Sequence, residues 1–131
     1  MDTMQVIVGL VLWAIALSFL LVGIRVTAGK ELNSFRNDGS DLSAFGLRAT
    51  RAMGNANENL ALALGIMLLA VITEKTGITD AWAAIFLGCR MGQSVVHLIS
   101  TSVPMVALRA TFYSVQHVIL IIWGLKLLGL A

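Results

Sequence analysis

Arg48-Ala49-Thr50-Arg51-Ala52-Met53-Gly54-Asn55-Ala56-Asn57-Glu58-Asn59 stands at the head of an apolar run that continues from Leu60 to Thr73. A membrane helix ordinarily avoids such residues, because each ionisable group at bilayer depth costs at least about 2.5–3.5 kcal/mol on insertion scales. At about 3.6 residues per turn, Arg48, Arg51, Asn55, Glu58 and Asn59 fall on one side of a helix. The stretch therefore reads as a membrane helix with a polar stripe. The rest of the chain must be the apolar frame that gives the stripe its partners.

Composition agrees. Of 131 residues, 58% are hydrophobic and 12% charged, and the mean hydropathy is +0.89. Soluble domains run at roughly 45–50% apolar and about 25% charged, so an integral membrane protein is expected. Nine Lys/Arg against seven Asp/Glu leave a net charge of +2, too balanced for a nucleic-acid surface. The single Cys89 excludes an intramolecular disulfide. No Cys/His cluster has metal-ligand spacing and no glycine-rich phosphate loop is present, so neither a metal nor a nucleotide is predicted.

The hydrophobic pattern predicts an all-α, four-helix membrane bundle forming one domain over residues 1–131, with spans at about 5–24, 46–73, 81–101 and 108–128. The first span is long enough to cross about 30 Å of hydrocarbon. No Lys or Arg precedes Arg25, so a retained span rather than a cleavable signal is expected. Arg25, Lys30 and Arg36 make the first connection basic, Asn37-Asp38-Gly39 marks a turn, and Ser40, Asp41 or Ser43 caps the next helix. From there to Thr73 that helix would hold roughly 30 residues and reach about 45 Å, longer than the bilayer is thick. Its first turns would stand in water, with Arg51 near the interface and Glu58 deeper. Ser100 to Pro104 is expected to turn the chain. Four spans put both termini on one side. By the positive-inside rule the arginine-bearing first connection is cytoplasmic and the termini are outside.

Two further stripes accompany the first. Arg90, Gln93, His97 and Thr101 share a face of helix 3, and Arg109, Tyr113 and Gln116 share one on helix 4. All three lie toward the cytoplasmic half, which implies one polar pocket. Glu58 and Arg90, the deepest opposite charges, are expected to pair. That leaves Arg51 and Arg109, with Arg48 or Arg25, as surplus cations suited to an anionic ligand such as phosphate, carboxylate or thiolate. Ala49, Ala52, Ala56 and Ala63 form a small face on helix 2 that permits close helix approach in lipid, and a homo-oligomer packed through helix 2 would bring the pockets to subunit boundaries. Cys89 and His117 are read as packing residues.

The pattern Arg48-x-x-Arg51-Ala-x-x-Asn55-x-x-Glu58-Asn59-Leu60 resembles the helix 2 signature of the MAPEG family, the membrane-associated proteins in eicosanoid and glutathione metabolism. The chain most resembles bacterial-type members akin to microsomal glutathione transferases. The resemblance implies a homotrimer in the cell membrane that binds glutathione as co-substrate between neighbours near the cytoplasmic face. A hydrophobic second substrate would enter from membrane lipid, and the activity would be a transferase or peroxidase. It also implies a glutathione-binding set of Arg51, Asn55, Glu58, Arg90, Gln93, His97 and Tyr113. Arg109 matches the arginine that stabilises the thiolate, where a cation lowers a thiol pKa from about 8.5 toward neutrality. Gln93 and His97 replace more usual family residues, Ala61 replaces a proline, and no arginine pair ends helix 1. A catalytically silent relative that binds an anion or only assembles is the alternative. A proton-coupled exporter is disfavoured, since helix 1 lacks a carboxylate and Glu58 is surrounded by arginines.

Overall fold

Asp2 starts the first helix. Its side chain accepts from the Gln5 amide while the Gln5 side chain accepts from the Asp2 amide, a reciprocal capping box that satisfies two otherwise orphaned donors. The computed structural model describes residues 1–131 except Lys30, Leu32 and Ser34, so Lys30, one of the cations expected in the first connection, lies outside the described residues. Four helices follow in order: α1 (Thr3–Thr27), α2 (Ala44–Ile72), α3 (Asp80–Ile99) and α4 (Val103–Leu127), with a single 3-10 turn at Thr76–Ile78 between α2 and α3. There is no strand among the described residues. All four helices are long and apolar enough to cross a membrane.

α2 runs for 29 residues from an N-cap at Ser43, whose hydroxyl accepts from the Gly46 amide. At about 1.5 Å per residue it spans roughly 43 Å, so it exceeds the hydrocarbon thickness as expected. The α3–α4 corner is tighter than the sequence suggests. α3 ends at Ile99, two residues before the expected Thr101, and α4 begins at Val103 rather than near Leu108. Pro104 lies in the first turn of α4, where its missing N–H would have had no helical partner anyway. It starts the helix instead of belonging to the turn.

The helix ends show one misfit. Gly29 and Gly129 follow α1 and α4 at φ 75° and 76°, the left-handed geometry glycine adopts freely. α2 closes the same way, the Lys75 amide donating to the Ala70 carbonyl and the Glu74 amide to that of Val71, but the left-handed residue is Glu74, at φ 58°. A side chain there costs roughly 1–2 kcal/mol, partly offset by the greater unfolded-state freedom of glycine. Glu74→Gly is expected to stabilise the protein by about 0.5–1 kcal/mol, seen as a higher midpoint of thermal unfolding in detergent.

The bundle is divided along its length. At the end holding the termini, Val6 and Leu10 of α1, Ala63 and Met67 of α2, Phe86 of α3 and Ile119 and Trp123 of α4 form the apolar core. Phe86 and Trp123 pack with ring centroids 5.6 Å apart. At the same end the Asp80 carboxylate accepts from the Thr3 amide at 2.8 Å, tying the first turns of α1 and α3 together. The other end, formed by the first and third connections, holds the polar stripes. Ala49, Ala52, Ala56 and Ala63 are all buried inside the subunit, so the small face of α2 serves the subunit's own packing. It is not a free oligomer surface.

Candidate functional site

Burial within the α2 stripe rises with angle around the helix. At about 100° per residue, Glu58 lies about 20° to one side of Arg51, while Asn55, Arg48 and Asn59 lie about 40°, 60° and 80° to the other. Glu58 and Arg51 are exposed, Asn55 and Arg48 half-buried, and Asn59 buried. The side of α2 that looks uniform in sequence is therefore a gradient from a cavity into the bundle.

The expected Glu58–Arg90 ion pair does not form. α2 turns Asn55 toward α3 and leaves Glu58 on the exposed flank, so Arg90 Nη1 donates to Asn55 Oδ1 at 3.0 Å. That is its one side-chain hydrogen bond among the described residues, although Arg90 is only 4% exposed. Burying a guanidinium against one neutral amide gives little in return for its desolvation. Arg90→Met, similar in length and apolar, is expected to leave the thermal unfolding midpoint in detergent unchanged or raised. A fall of more than a few degrees would contradict this.

Arg48 and Arg25 are also used elsewhere. Arg48 Nε donates to the Leu98 carbonyl at 2.8 Å near the end of α3, with its guanidinium over the Phe45 ring. Arg25 Nη2 donates to the Arg36 carbonyl, and its guanidinium lies 5.8 Å from the Phe35 ring centroid. Neither lines the cavity described next.

A cavity of about 910 Å³ opens at the connection end. α2 contributes Arg51, Asn55 and Glu58, α3 contributes Gln93 and His97, and α4 contributes Arg109 and Tyr113. Arg90 sits behind this wall and reaches the cavity only through Asn55. Arg51, Arg109 and Glu58 make no hydrogen bond or ion pair with a described residue. Two cations and a carboxylate thus face the cavity uncommitted. Tyr113 is held by stacking on His117 at 3.9 Å between ring centroids, and the His117 Nδ1 contacts the Tyr113 carbonyl at 2.8 Å. That is the packing role expected of His117.

The first connection supplies a wall that the sequence did not announce. Asn37, Asp38 and Ser40 line the cavity, and the Asn-Asp-Gly turn that forms them signalled only a change of direction. Gly39 is buried against Thr50 at φ 74° and presses this strap onto α2. The Ser40 amide donates to Asp38 Oδ1 at 3.0 Å and holds the Asp38 carboxyl below the usual carboxylate range. A second carboxylate therefore stands at the cavity rim, opposite in sign to Arg51 and Arg109.

Behind the cavity, Gln93 Nε2 donates to Asn55 Oδ1 at 3.1 Å, and Gln116 Nε2 donates to Gln93 Oε1 at 2.9 Å. The Trp13 indole donates to Ser94 Oγ at 3.1 Å and brings α1 into the same layer. All four helices thus meet at one polar level.

Four helices long and apolar enough to cross a membrane, with a polar cavity let in at one end and lined by arginines, carboxylates and amides, define a multi-pass membrane protein. Residues 3–129 match the sequence model of the MAPEG family, and the chain belongs to that family. No curated protein and no solved structure shows significant similarity to it.

Proposed function

We propose that the protein is a glutathione-dependent membrane enzyme, a transferase or peroxidase acting on a lipophilic electrophile. The observation that carries this is the convergence of Arg51, Asn55, Glu58 and Arg109 from two helices on one cavity, in a chain of this family. Glutathione is an anionic tripeptide that also carries an ammonium group. Arg51 suits a carboxylate, Glu58 and Asp38 suit the ammonium, and Arg109 suits the thiolate. In the transferase reaction the thiolate sulfur forms a C–S bond to the electrophilic carbon, and the thiol proton leaves to solvent or to the displaced group. In the peroxidase reaction two thiols are oxidised to a disulfide while a hydroperoxide is reduced to an alcohol and water.

The site is proposed to face the cytoplasm of the cell membrane, with the termini outside and with subunits associating as a homotrimer. Titration of purified protein with glutathione, followed by thiolate absorbance in the ultraviolet, is the test. No binding at millimolar glutathione, or an unchanged titration in Arg51→Ala, would rule the proposal out.

One observation favours a silent relative as the second reading. Gln93 is buried and bonded to two amides, so it offers no ionisable group for proton transfer at that position. Glutathione bound without any thiolate absorbance would select this alternative.

A further inference from the structure

A carboxamide has a donor end and an acceptor end, and the neighbour at one end dictates what it offers at the other. Three of them, Asn55, Gln93 and Gln116, run in a line from the cavity wall into the bundle. Arg90, which can only donate, holds Asn55 Oδ1 at one end. The Phe112 carbonyl, which can only accept, takes Gln116 Nε2 at 2.9 Å at the other. Both ends demand the same direction. Turning any one amide over would set oxygen against oxygen or nitrogen against nitrogen.

Two consequences mark the direction as imposed. Gln116 is fully buried, and its Oε1 has no partner among the described residues, which opposes folding. Asn55, with its oxygen doubly occupied, has an Nδ2 that bonds no described residue and is not sealed from the cavity it lines. We propose that Gln116 is a positioning residue: acting through Gln93, it holds the Asn55 carboxamide with its NH2 turned to the cavity. This wall therefore takes a hydrogen-bond acceptor, a peptide carbonyl or carboxylate of the ligand, and rejects an ammonium. Gln116 itself does not line the cavity, so it acts only at a distance.

The inference deepens the glutathione reading and rests on it for the ligand. The test is calorimetric titration of the full-length protein in detergent with glutathione. Gln116→Met keeps the side-chain length, removes the donation to Gln93 and is expected to weaken binding about tenfold. In an Asn55→Ala background the same substitution is expected to change affinity by less than about twofold, because the residue it acts through is gone. Equal losses in both backgrounds would mean that Gln116 serves packing alone and would overturn the proposal. So would equal affinities of native and Gln116→Met protein. Gln116→Leu, which also removes the donation to Gln93 and likewise lies outside the cavity lining, gives the same cycle if Gln116→Met does not assemble.

A readout without ligand separates the two claims. In spectra of 15N-labelled, glutathione-free protein, Gln116→Met is expected to shift the Asn55 side-chain amide resonances. A shift in a protein that binds no glutathione would sink the ligand assignment and leave the relay standing. Unmoved resonances would sink the relay.

Discussion

Replacing Arg109 with alanine is expected to remove the thiolate absorbance of bound glutathione at neutral pH while leaving the tripeptide bound. Arg109 is half-buried on the first half of α4, lines the cavity, and has no partner for its charge among the described residues. A thiol beside it would titrate near pH 7, whereas a free thiol titrates at about 8.5. At pH 7 the thiolate fraction would then fall from about one half to about 3%, roughly fifteenfold. The sign of the pH dependence follows. In its proposed role Arg109 would lower the thiol pKa, so native protein and variant should differ most between about pH 7 and 8.5 and converge above about 9.5, where both thiols are ionised. Raising the pH should therefore restore the absorbance of Arg109→Ala, but not of Arg51→Ala, where the tripeptide itself would be lost. If chemistry is rate-limiting, turnover should fall by at least the same factor, and by about 10²–10³ if the arginine also stabilises the transition state. Thiolate absorbance unchanged in Arg109→Ala would assign the cation's role to another residue.

The four spans were legible in the sequence because lipid imposes length and apolarity on each helix separately, and neither depends on what the helix packs against. Residues facing the cavity were legible for a related reason, since Arg51, Asn55, Glu58, Gln93, His97, Arg109 and Tyr113 break the apolar pattern at helical spacing. Pairing between helices was not. Whether Arg90 meets Glu58 or Asn55 depends on a rotation of α2 by less than about 100°, one residue's worth of helix, and opposite charge is a poor guide at that resolution. The same limit hid the link from Gln93 to Gln116, two residues correctly placed on their own stripes. The alanine face misled in the other direction: small residues permit close approach but do not say to whom, and α2 uses them within the subunit. Pro104 shows how one residue type can signal both a turn and a helix start.

Gly39 carries the second large effect, because it joins the strap to the cavity wall. Its left-handed φ of 74° is one obstacle to a side chain, worth about 1–2 kcal/mol. The other is Thr50: a methyl group on residue 39 would lie 2.8 Å from Thr50 Cβ, an atom fixed to the α2 backbone. Thr50 cannot rotate away cheaply, since its hydroxyl donates to the Gly46 carbonyl at 2.9 Å. Overpacking of this kind typically costs a further 1–3 kcal/mol, for a total of about 2–5 kcal/mol. The connection can relieve this by lifting off α2 without unfolding the bundle, so the expected result of Gly39→Ala is a detached strap on an intact set of spans. Trypsin cleavage after the exposed Arg36 should accelerate at least about 30-fold, the opening equilibrium shift that 2 kcal/mol produces. Glutathione should bind more weakly as Asp38 and Ser40 leave the rim. Gly29→Ala is the control. It sits at nearly the same φ, 75°, with no heavy atom of a described residue within 4 Å of the added methyl, so it pays the backbone term without the overlap and lies away from the cavity. Equal protease sensitivity in Gly39→Ala and Gly29→Ala would show that the contact with Thr50 does not hold the strap. A much larger effect at Gly39 would show that the first connection is a wall of the site as well as a link between spans.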